Sequence, residues 1–322
     1  MPDSEGRTGI HAIRNYVILA ILTIGAISAA GVMLSKKAAK DKTHGSFGLT
    51  ESCSLTGQLV SLPEVSEASG LALSRSNPDL LWTHEDSSPV LYALDIVGRL
   101  KGRVTLNQAP IEDFEDLATG PCGGSGGGDK TCLYIGDIGD NRARRDHITV
   151  YRVPEPLATD RETAPAEAFH ATYPEGPQDA EALFVAEGRI YVVTKGSHTP
   201  ITLYRFPEPL RAGTTVRLEP VVVLFQDDPS RQDRVTGAGV SPDGRWVALR
   251  THNAVLFYEA APLLKGTPKK PLSYDVSWLR ESQAEGVAVG NEGGLFLISE
   301  GGEKGAPGLL AHGICKLPGG PG

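Results

Sequence analysis

The sequence has 322 residues, of which 40% are hydrophobic and 22% charged, and its formal net charge at pH 7 is −8. No lysine- or arginine-rich stripe occurs in the body of the chain, which excludes the usual nucleic-acid-binding surface. The 38 glycines and 23 prolines are spread along the chain, and this spread favours many short strands joined by turns. The length fits one large all-β domain.

A hydrophobic segment, residues 16–35, is the first predicted element. The stretch from Tyr16 to Leu34 carries no charge and is long enough for a short membrane-spanning helix. Small residues at 28–30 would also suit a signal peptidase. The segment therefore fits an uncleaved membrane anchor and a cleaved signal peptide equally well. This predicts four regions: a cytoplasmic n-region at 1–15, the anchor or signal at 16–35, a linker at 36–52 and the folded domain at 53–322.

Four cysteines indicate the compartment. Cys122 and Cys132 bracket a glycine-rich loop, whereas Cys53 and Cys315 lie at the two ends of the folded region, where a bridge would close a ring. An even number with this spacing predicts two disulfides and an oxidising compartment, although four unrelated buried thiols are the alternative. The lysines at 36–42 argue against export, because positive flanks favour the cytoplasm. We expect an extracytoplasmic protein, either membrane-anchored or secreted.

A short signature recurs five times in the folded domain. Its copies are EASGLAL from Glu67, DFEDLAT from Asp113, DAEALFV from Asp179, TGAGVS from Thr236 and QAEGVAV from Gln283. Each copy is followed by an apolar run that ends in polar residues, and four of the five by a recognisable third strand. Since one such meander cannot bury both of its faces, the repeats must stack radially.

This pattern predicts an all-β fold, a β-propeller of about five four-stranded blades. The last repeat has room for three strands, so the strand at 57–62 is expected to complete its blade, and a Cys53–Cys315 bridge would lock the closure. A sixth, degenerate blade and a β-sandwich are the alternatives. A sandwich does not explain the repeated signature.

The first signature predicts a ring of acidic side chains. We aligned the five copies on Leu71, Leu117, Leu183, Val240 and Val287. Two residues earlier, three copies carry a carboxylate (Glu115, Glu181 and Glu285), and the other two carry Ser69 and Ala238. Carboxylates on one ring repel each other unless cations lie between them, and Ca²⁺ accepts six to eight oxygen ligands. The alternative is that these acids cap turns or bond to the neighbouring backbone.

The apolar runs end in polar residues that are predicted to face one end of the channel. The candidate ligand-binding residues are His84, Asp86, Asp137, Lys195, Arg250, His252 and Glu300. Cations and histidines among acids suit an anionic ligand, such as a phosphate or carboxylate held beside a metal, and Arg234 could join them. His84, Asp137 and His252 are the candidates for a catalytic role.

Several motifs resemble exported bacterial β-propellers of the phytase-like and gluconolactonase-like group. They are EASGLA, DFEDLA, DAEAL, QAEGVA and the segment DIGDNRAR followed by ITVYRVPEP, and the resemblance covers residues 57–316. It implies calcium-assisted hydrolysis of phosphate esters or lactones. It would place the metal-binding role on Glu67, Glu115, Glu181 and Glu285, with Asp137 nearby. Ala238 departs from the pattern, since no carboxylate completes the ring in the fourth blade.

These observations predict an extracytoplasmic propeller that binds a small anionic or polar ligand in its central funnel, together with Ca²⁺. The first alternative is a metal-dependent hydrolase of phosphate esters or lactones, and the second is a ligand-free platform for protein interactions. No nucleophile elbow or phosphate-binding loop occurs. We expect a monomer whose partner is a small molecule or surface ligand, with no nucleic acid, and with membrane contact through residues 16–35 alone.

Overall fold

The computed structural model describes residues 53–56, 59–123, 130–197, 200–227, 229–303 and 305–318. All of them belong to the unit Phe47–Gly322. The predictions for residues 1–52, including the hydrophobic helix, lie outside the described residues. Among the described helices, none has the length and apolar character needed to cross a membrane.

Four of the five blades are sheets whose strands follow one another from the axis outwards. The first blade contains β3 (Ala68–Leu73), β4 (Leu80–Glu85), β5 (Val90–Asp95) and β6 (Leu100–Asn107), with β10 (Glu162–Pro165) outside them. The second contains β7 (Phe114–Pro121), β8 (Thr131–Asp137), β9 (Ile148–Pro154) and β11 (Glu167–Thr172), with β15 (Thr215–Arg217) outside. The third contains β12 (Ala180–Ala186), β13 (Arg189–Thr194), β14 (Ile201–Arg205) and β16 (Glu219–Phe225). The fourth contains β17 (Val235–Val240), β18 (Trp246–Thr251), β19 (Ala254–Glu259) and β20 (Leu272–Asp275). A short helix, α1 (Ala260–Leu264), follows β19, and 3₁₀ turns occupy Arg231–Asp233, Ser277–Leu279 and Asn291–Gly293.

The fifth blade joins the two ends of the domain. It contains β21 (Gln283–Val289), β22 (Gly294–Glu300) and β23 (Gly308–Cys315), and both β1 (Cys53–Leu55) and β2 (Val60–Leu62) pair antiparallel with β23. The Cys53–Cys315 disulfide joins β1 to β23, and a second disulfide joins Cys122 to Cys132. The predicted propeller of five blades, the closure by N-terminal strands and both disulfides are therefore confirmed.

The hydrophobic core is divided into five clusters, one between each pair of adjacent blades. The cluster between the first and second blades contains Trp82, Phe114 and Leu133, all fully buried, and the other four interfaces are built in the same way. Since both faces of every sheet are covered, the strands consist largely of continuous apolar runs. Trp246 is buried, whereas Trp278 is half exposed.

The five innermost strands contact one another in a closed ring: β3, β7, β12, β17 and β21, with β21 returning to β3. Small residues permit this close approach. A Cβ added to Gly70 would lie 2.5 Å from the Leu117 nitrogen, and one added to Gly286 would lie 2.5 Å from the Leu71 nitrogen. The glycines of the repeated signature are therefore required by the crowding of strands at the axis.

Asp116 ties four of these strands together. Its side chain is fully buried. Oδ1 accepts a hydrogen bond from the Leu117 nitrogen (2.9 Å), and Oδ2 accepts from the nitrogens of Leu183 (2.8 Å) and Ala238 (3.0 Å), with the Leu71 nitrogen contributing a further bond. One carboxylate thus satisfies backbone donors of the first four blades at the centre of the propeller.

Candidate functional site

Each inner strand carries a β-bulge near its first residues, and these bulges define the site. In the second blade, Phe114 pairs with Asp137 and Asp116 pairs with Gly136, so that Glu115 is the extra residue. The same irregularity occurs in the other four inner strands. Because a bulge re-aims its side chain, the five equivalent positions form one ring: Ser69, Glu115, Glu181, Thr236 and Glu285.

The bulges correct the alignment of the fourth signature. In β17 the extra residue is Thr236, and Ala238 pairs with Leu249 as Leu117 pairs with Ile135 in the second blade. Ala238, and not Val240, is therefore equivalent to the aliphatic residue of the other copies. The shift of two residues arose because this copy places a small side chain where the others have leucine or valine. The ring position of the fourth blade is a threonine, so the ring still lacks a fourth carboxylate.

The three ring glutamates face one cavity of about 430 Å³ at the axis. Glu115, Glu181 and Glu285 are each at most 8% exposed, and all three line this cavity. The two hydroxyl residues of the ring bond to the adjacent blade instead: Ser69 Oγ donates to the Glu115 carbonyl (2.6 Å) and Thr236 Oγ1 donates to the Glu285 carbonyl (3.0 Å). We call this cavity the funnel.

A second set of side chains lines the funnel from the ends of the second strands. Asp86, Lys195, His252 and Glu300 occupy equivalent positions in four blades, at or directly after the last residue of β4, β13, β18 and β22. The structure therefore brings these four predicted residues together. In the second blade the equivalent residue is Ile138, which is fully buried.

Arginine and acidic side chains from the connecting loops complete the funnel. The further lining residues are Asp113, Asn141, Arg231, Arg234 and Gln283. Sequence reasoning missed Arg231, because the loop between the third and fourth blades lies outside every repeated motif. The neighbouring TGAGVS signature is the only signal that could have drawn attention to it.

Two of the predicted ligand-binding residues, His84 and Arg250, lie inside the packing between blades and do not line the funnel. His84 is fully buried with its ring edge-to-face with Phe114 (5.8 Å between centroids). Burial lowers the pKa of His84 to about 4. Arg250 is also fully buried. Its Nη1 donates to the carbonyls of Gly286 and Ile298 (both 2.9 Å), and its Nη2 pairs with Glu281. A buried guanidinium needs such partners, so Arg250 joins the fourth blade to the fifth.

Asp137 organises a loop beside the funnel. It accepts a hydrogen bond from the Asp113 nitrogen (2.9 Å) and forms an ion pair with Arg145 (2.8 Å). Asp140 Oδ2 accepts from the nitrogens of Arg144 and Arg145 (2.7 and 2.8 Å). The two acids of the DIGDN segment and the nearby Arg145 therefore have a structural role in this loop. Glu67, the fourth residue to which the resemblance assigns a metal role, is exposed and lies outside the lining residues.

The carboxylates of the funnel are too close to be ionised freely. Burial raises the pKa of Glu115 well above its usual range, and the charges of Asp113 and Glu285 add to the effect. Burial also raises the pKa of Glu285 to about 8 and that of Asp113 to about 6. Among the described funnel carboxylates, Glu181 alone has a cation in contact, since the Lys195 ammonium pairs with it and lies 3.9 Å from Asp179. With a pKa of about 8, Glu285 holds its proton near neutral pH.

The cations of the funnel lie on the side of the third and fourth blades. Burial, together with the charges of Arg231 and Lys195, lowers the pKa of His252 to about 4, so its imidazole is neutral at pH 7. Within the described residues, neither Arg231 nor Arg234 has a carboxylate within 4 Å. Arg234 Nε is buried without a hydrogen-bond partner. Two guanidinium groups beside a neutral imidazole form an anion-binding arrangement.

The acidic ring does not fit a calcium ion as it is arranged here. In the part of the chain that the structure describes, no three Asp, Glu, His or Cys side chains are positioned to hold a metal ion, and the Lys195 ammonium already occupies the contact with Glu181. Calcium binding therefore stays a prediction.

The other end of the channel contains fewer charged side chains than the funnel. A second cavity of about 360 Å³ is lined mainly by aliphatic side chains of the inner strands, including Leu71, Leu117 and Val185. Asp116 lies between the two ends, beside Glu115 of the funnel and Leu117 of the apolar cavity. The titratable groups are therefore concentrated in the funnel.

Replacing Glu285 by glutamine is expected to stabilise the protein at high pH. The folded-state pKa of about 8 lies above the ordinary value of 4.5. The cost of keeping Glu285 buried is therefore smallest below pH 4.5, grows as the pH rises from 4.5 to 8, and is fully present above pH 8. Glu285→Gln should raise the free energy of unfolding at pH 9 by roughly 2–4 kcal/mol and change it little at pH 4.5. Urea unfolding at both pH values measures this difference, with exposed Glu162→Gln as the control. A loss of stability in Glu285→Gln at pH 9 would contradict the assignment.

No protein-family model matches the chain, and no curated protein matches it. Among solved structures, the chain is similar to the PQQ-bound aldose sugar dehydrogenase of Streptomyces coelicolor (11% identity, 81% of this chain and 97% of that chain covered, TM-score 0.47). It is also similar to the calcium-binding protein regucalcin of Agrobacterium tumefaciens (13%, 82% and 94%, TM-score 0.44). A gluconolactonase of Xanthomonas campestris is a third such structure (12%, 79% and 89%, TM-score 0.43).

Proposed function

We propose that the funnel binds a small polar molecule through an anionic group on that molecule. The observation that carries this proposal is the pair Arg231 and Arg234, which face the funnel beside His252 with no carboxylate partner among the described residues. Unpaired guanidinium groups in a partly buried site gain most from a carboxylate or phosphate, because both oxygens of such a group accept hydrogen bonds. The cavity volume of about 430 Å³ lies in the range of small-molecule sites.

The two disulfides support an oxidising compartment for this protein. We propose that the protein works outside the cytoplasm, held by the segment at 16–35 or released after its cleavage. The ligand would then reach the funnel from the extracytoplasmic medium.

Loss of Arg234 is expected to weaken the binding of anions. A hydrogen bond to a charged group contributes about 1.5–3 kcal/mol, which corresponds to roughly a tenfold to hundredfold change in Kd. The purified full-length protein would be titrated with inorganic phosphate and with citrate, and binding read from the rise in melting temperature. Arg234→Gln should show the weakened affinity, and Arg211→Gln, an exposed arginine remote from the funnel, should retain the wild-type affinity. Equal affinities in all three proteins, or no shift with either anion, would overturn the proposal.

The calcium prediction is tested in the same melting experiment. A rise in melting temperature with Ca²⁺, lost in Glu181→Gln and reversed by EDTA, would support a metal in the funnel. No Ca²⁺-dependent shift would agree with the pairing of Lys195 and Glu181.

A hydrolase is the second candidate, because Glu285 exchanges its proton near neutral pH, as a general acid or base must. Turnover of a panel of phosphomonoesters and lactones by the wild-type protein, lost in Glu285→Gln and retained in Glu162→Gln, would favour it. If the wild-type protein turned over none of these compounds, the hydrolase would be excluded and ligand binding would remain as the proposed function.

A further inference from the structure

The charges of the funnel are separated across its axis. Lys195 and His252 belong to the third and fourth blades, and Arg231 and Arg234 belong to the loop between them. In a ring of five blades, the boundary between the third and fourth blades lies directly across the axis from the first blade. Asp86 is the funnel residue of the first blade. The funnel therefore presents cations on one side and a carboxylate on the opposite side.

In the part of the chain that the structure describes, Lys195 is paired with Glu181, whereas the funnel carboxylates of the first and fifth blades and the two arginines form no ion pair. Among the described residues, Asp86 forms no ion pair, and its Oδ1 is buried without a hydrogen-bond partner. Glu300, next to it in the fifth blade, accepts a hydrogen bond only from neutral Gln283 (2.9 Å). On the opposite side, Arg234 Nε is also buried without a partner. Buried polar atoms normally have a hydrogen-bond partner. One ligand that spans the funnel could supply a partner both for the Arg234 donor and for the Asp86 acceptor on the opposite wall.

The electrostatic environment of each wall supports this division. Besides burial, the charges that act on Glu300 include those of Asp86 and Glu67, and these raise its pKa. The charges that act on His252 are all cations. A ligand with only an anionic group would face repulsion from the acidic wall, and one with only a cationic group would face repulsion from the arginines. A ligand that carries both groups meets complementary charge at both walls.

Resting on the binding function proposed above, we infer that the ligand is a small zwitterion, with an anionic group for Arg231 and Arg234 and a protonated amine for Asp86 and Glu300. The lining of the funnel is almost entirely polar, which favours a hydroxylated or otherwise polar skeleton between the two charges. Lys195 remains paired with Glu181 and is not needed to bind the ligand.

Two matched sets of probes test this inference by isothermal titration calorimetry on the full-length protein. One set is glucosamine 6-phosphate, glucose 6-phosphate and glucosamine; the other is 6-aminohexanoate, hexanoate and hexylamine. In at least one set, the zwitterion should bind at least tenfold more tightly than either matched compound. Asp86→Asn should reduce its affinity to that of the matched anion, and Arg234→Gln should reduce it to that of the matched amine. Exposed Asp79→Asn and Arg211→Gln are the charge-matched controls.

The outcomes separate this inference from the proposed function. If the anions bind, depend on Arg234 and are bound as tightly as the zwitterions in both sets, the binding function stands and the zwitterion is excluded. If Asp86→Asn leaves the advantage of the zwitterion intact, the role of the acidic wall is overturned. If no probe binds and the phosphate titration also fails, both proposals are wrong.

Discussion

Replacing Asp116 by asparagine is expected to destabilise the propeller by roughly 3–5 kcal/mol, the range measured when one partner of a buried charged network is removed. Both carboxylate oxygens face backbone N–H groups, with Oδ1 bonded to Leu117 and Oδ2 to Leu183 and Ala238. An asparagine amide nitrogen in either place would point its own hydrogens at these donors. The strands of the third and fourth blades would then lose their acceptor at the axis.

Urea unfolding at pH 7 measures the effect of Asp116→Asn. The control is Asp79→Asn, an exposed substitution that should change the free energy of unfolding by less than about 0.5 kcal/mol. Funnel mutations such as Arg234→Gln are expected to leave stability near the wild-type value. A loss of less than about 1 kcal/mol in Asp116→Asn would show that the central carboxylate is not needed to hold the inner strands.

Removing the Cys53–Cys315 disulfide is the second large expected effect. The two cysteines are separated by 262 residues, whereas Cys122 and Cys132 are separated by 10. In the chain-entropy model the stabilisation grows with the logarithm of loop length, from about 3 kcal/mol for 15 residues to about 4.7 kcal/mol for 100 residues. The double variant Cys53→Ser, Cys315→Ser should therefore lose roughly 5–6 kcal/mol, about 3 kcal/mol more than Cys122→Ser, Cys132→Ser.

Both double variants would be unfolded in urea without reductant. Equal losses in the two variants would contradict the assignment of Cys53–Cys315 as the closure of the ring. The same residues test the compartment: protein taken from its native cells and alkylated before lysis is expected to show no reactive thiol. Four alkylated cysteines would contradict the extracytoplasmic assignment.

The repeated signature was sufficient to predict the propeller, because each copy combines a period-two strand with a turn and the five copies must share their hydrophobic faces. It was sufficient for the closure as well, since the last repeat lacked a strand that residues 57–62 could supply. Both predictions depended on local pattern and chain connectivity, which the sequence contains directly.

The role of Asp116 was not predicted, although aligning the five copies of the signature shows that it is unusual. At the equivalent position the other copies have Gly70, Ala182, Gly237 and Gly286, so an aspartate there is the exception in its column. Its function depends on backbone groups of other blades, which come close only after the ring has closed. The alignment of the fourth copy on Val240 instead of Ala238 obscured this comparison, because TGAGVS has no large aliphatic residue at the aligned position.

The candidate site was predicted in part. Asp86, Lys195, His252 and Glu300 follow their second strands at equivalent places and meet in the funnel, as do the three ring glutamates. Arg250 also follows the pattern, but it lies one residue inside its strand. Its side chain therefore turns into the blade interface, where it pairs with Glu281. Arg250 lies two residues before His252, the funnel position of its blade, and no sequence pattern reveals the distant acid with which it pairs.

The central claim is that the inner strands form a charged funnel whose cationic wall binds an anion. Crystals of the protein soaked in selenate would test it most directly, since the anomalous signal of selenium locates the anion without reference to the protein atoms. We expect the strongest anomalous peak at the axis, between Arg231, Arg234 and His252. Selenate found only on the outer surface, with the funnel free of signal at concentrations that fill those outer sites, would contradict the account.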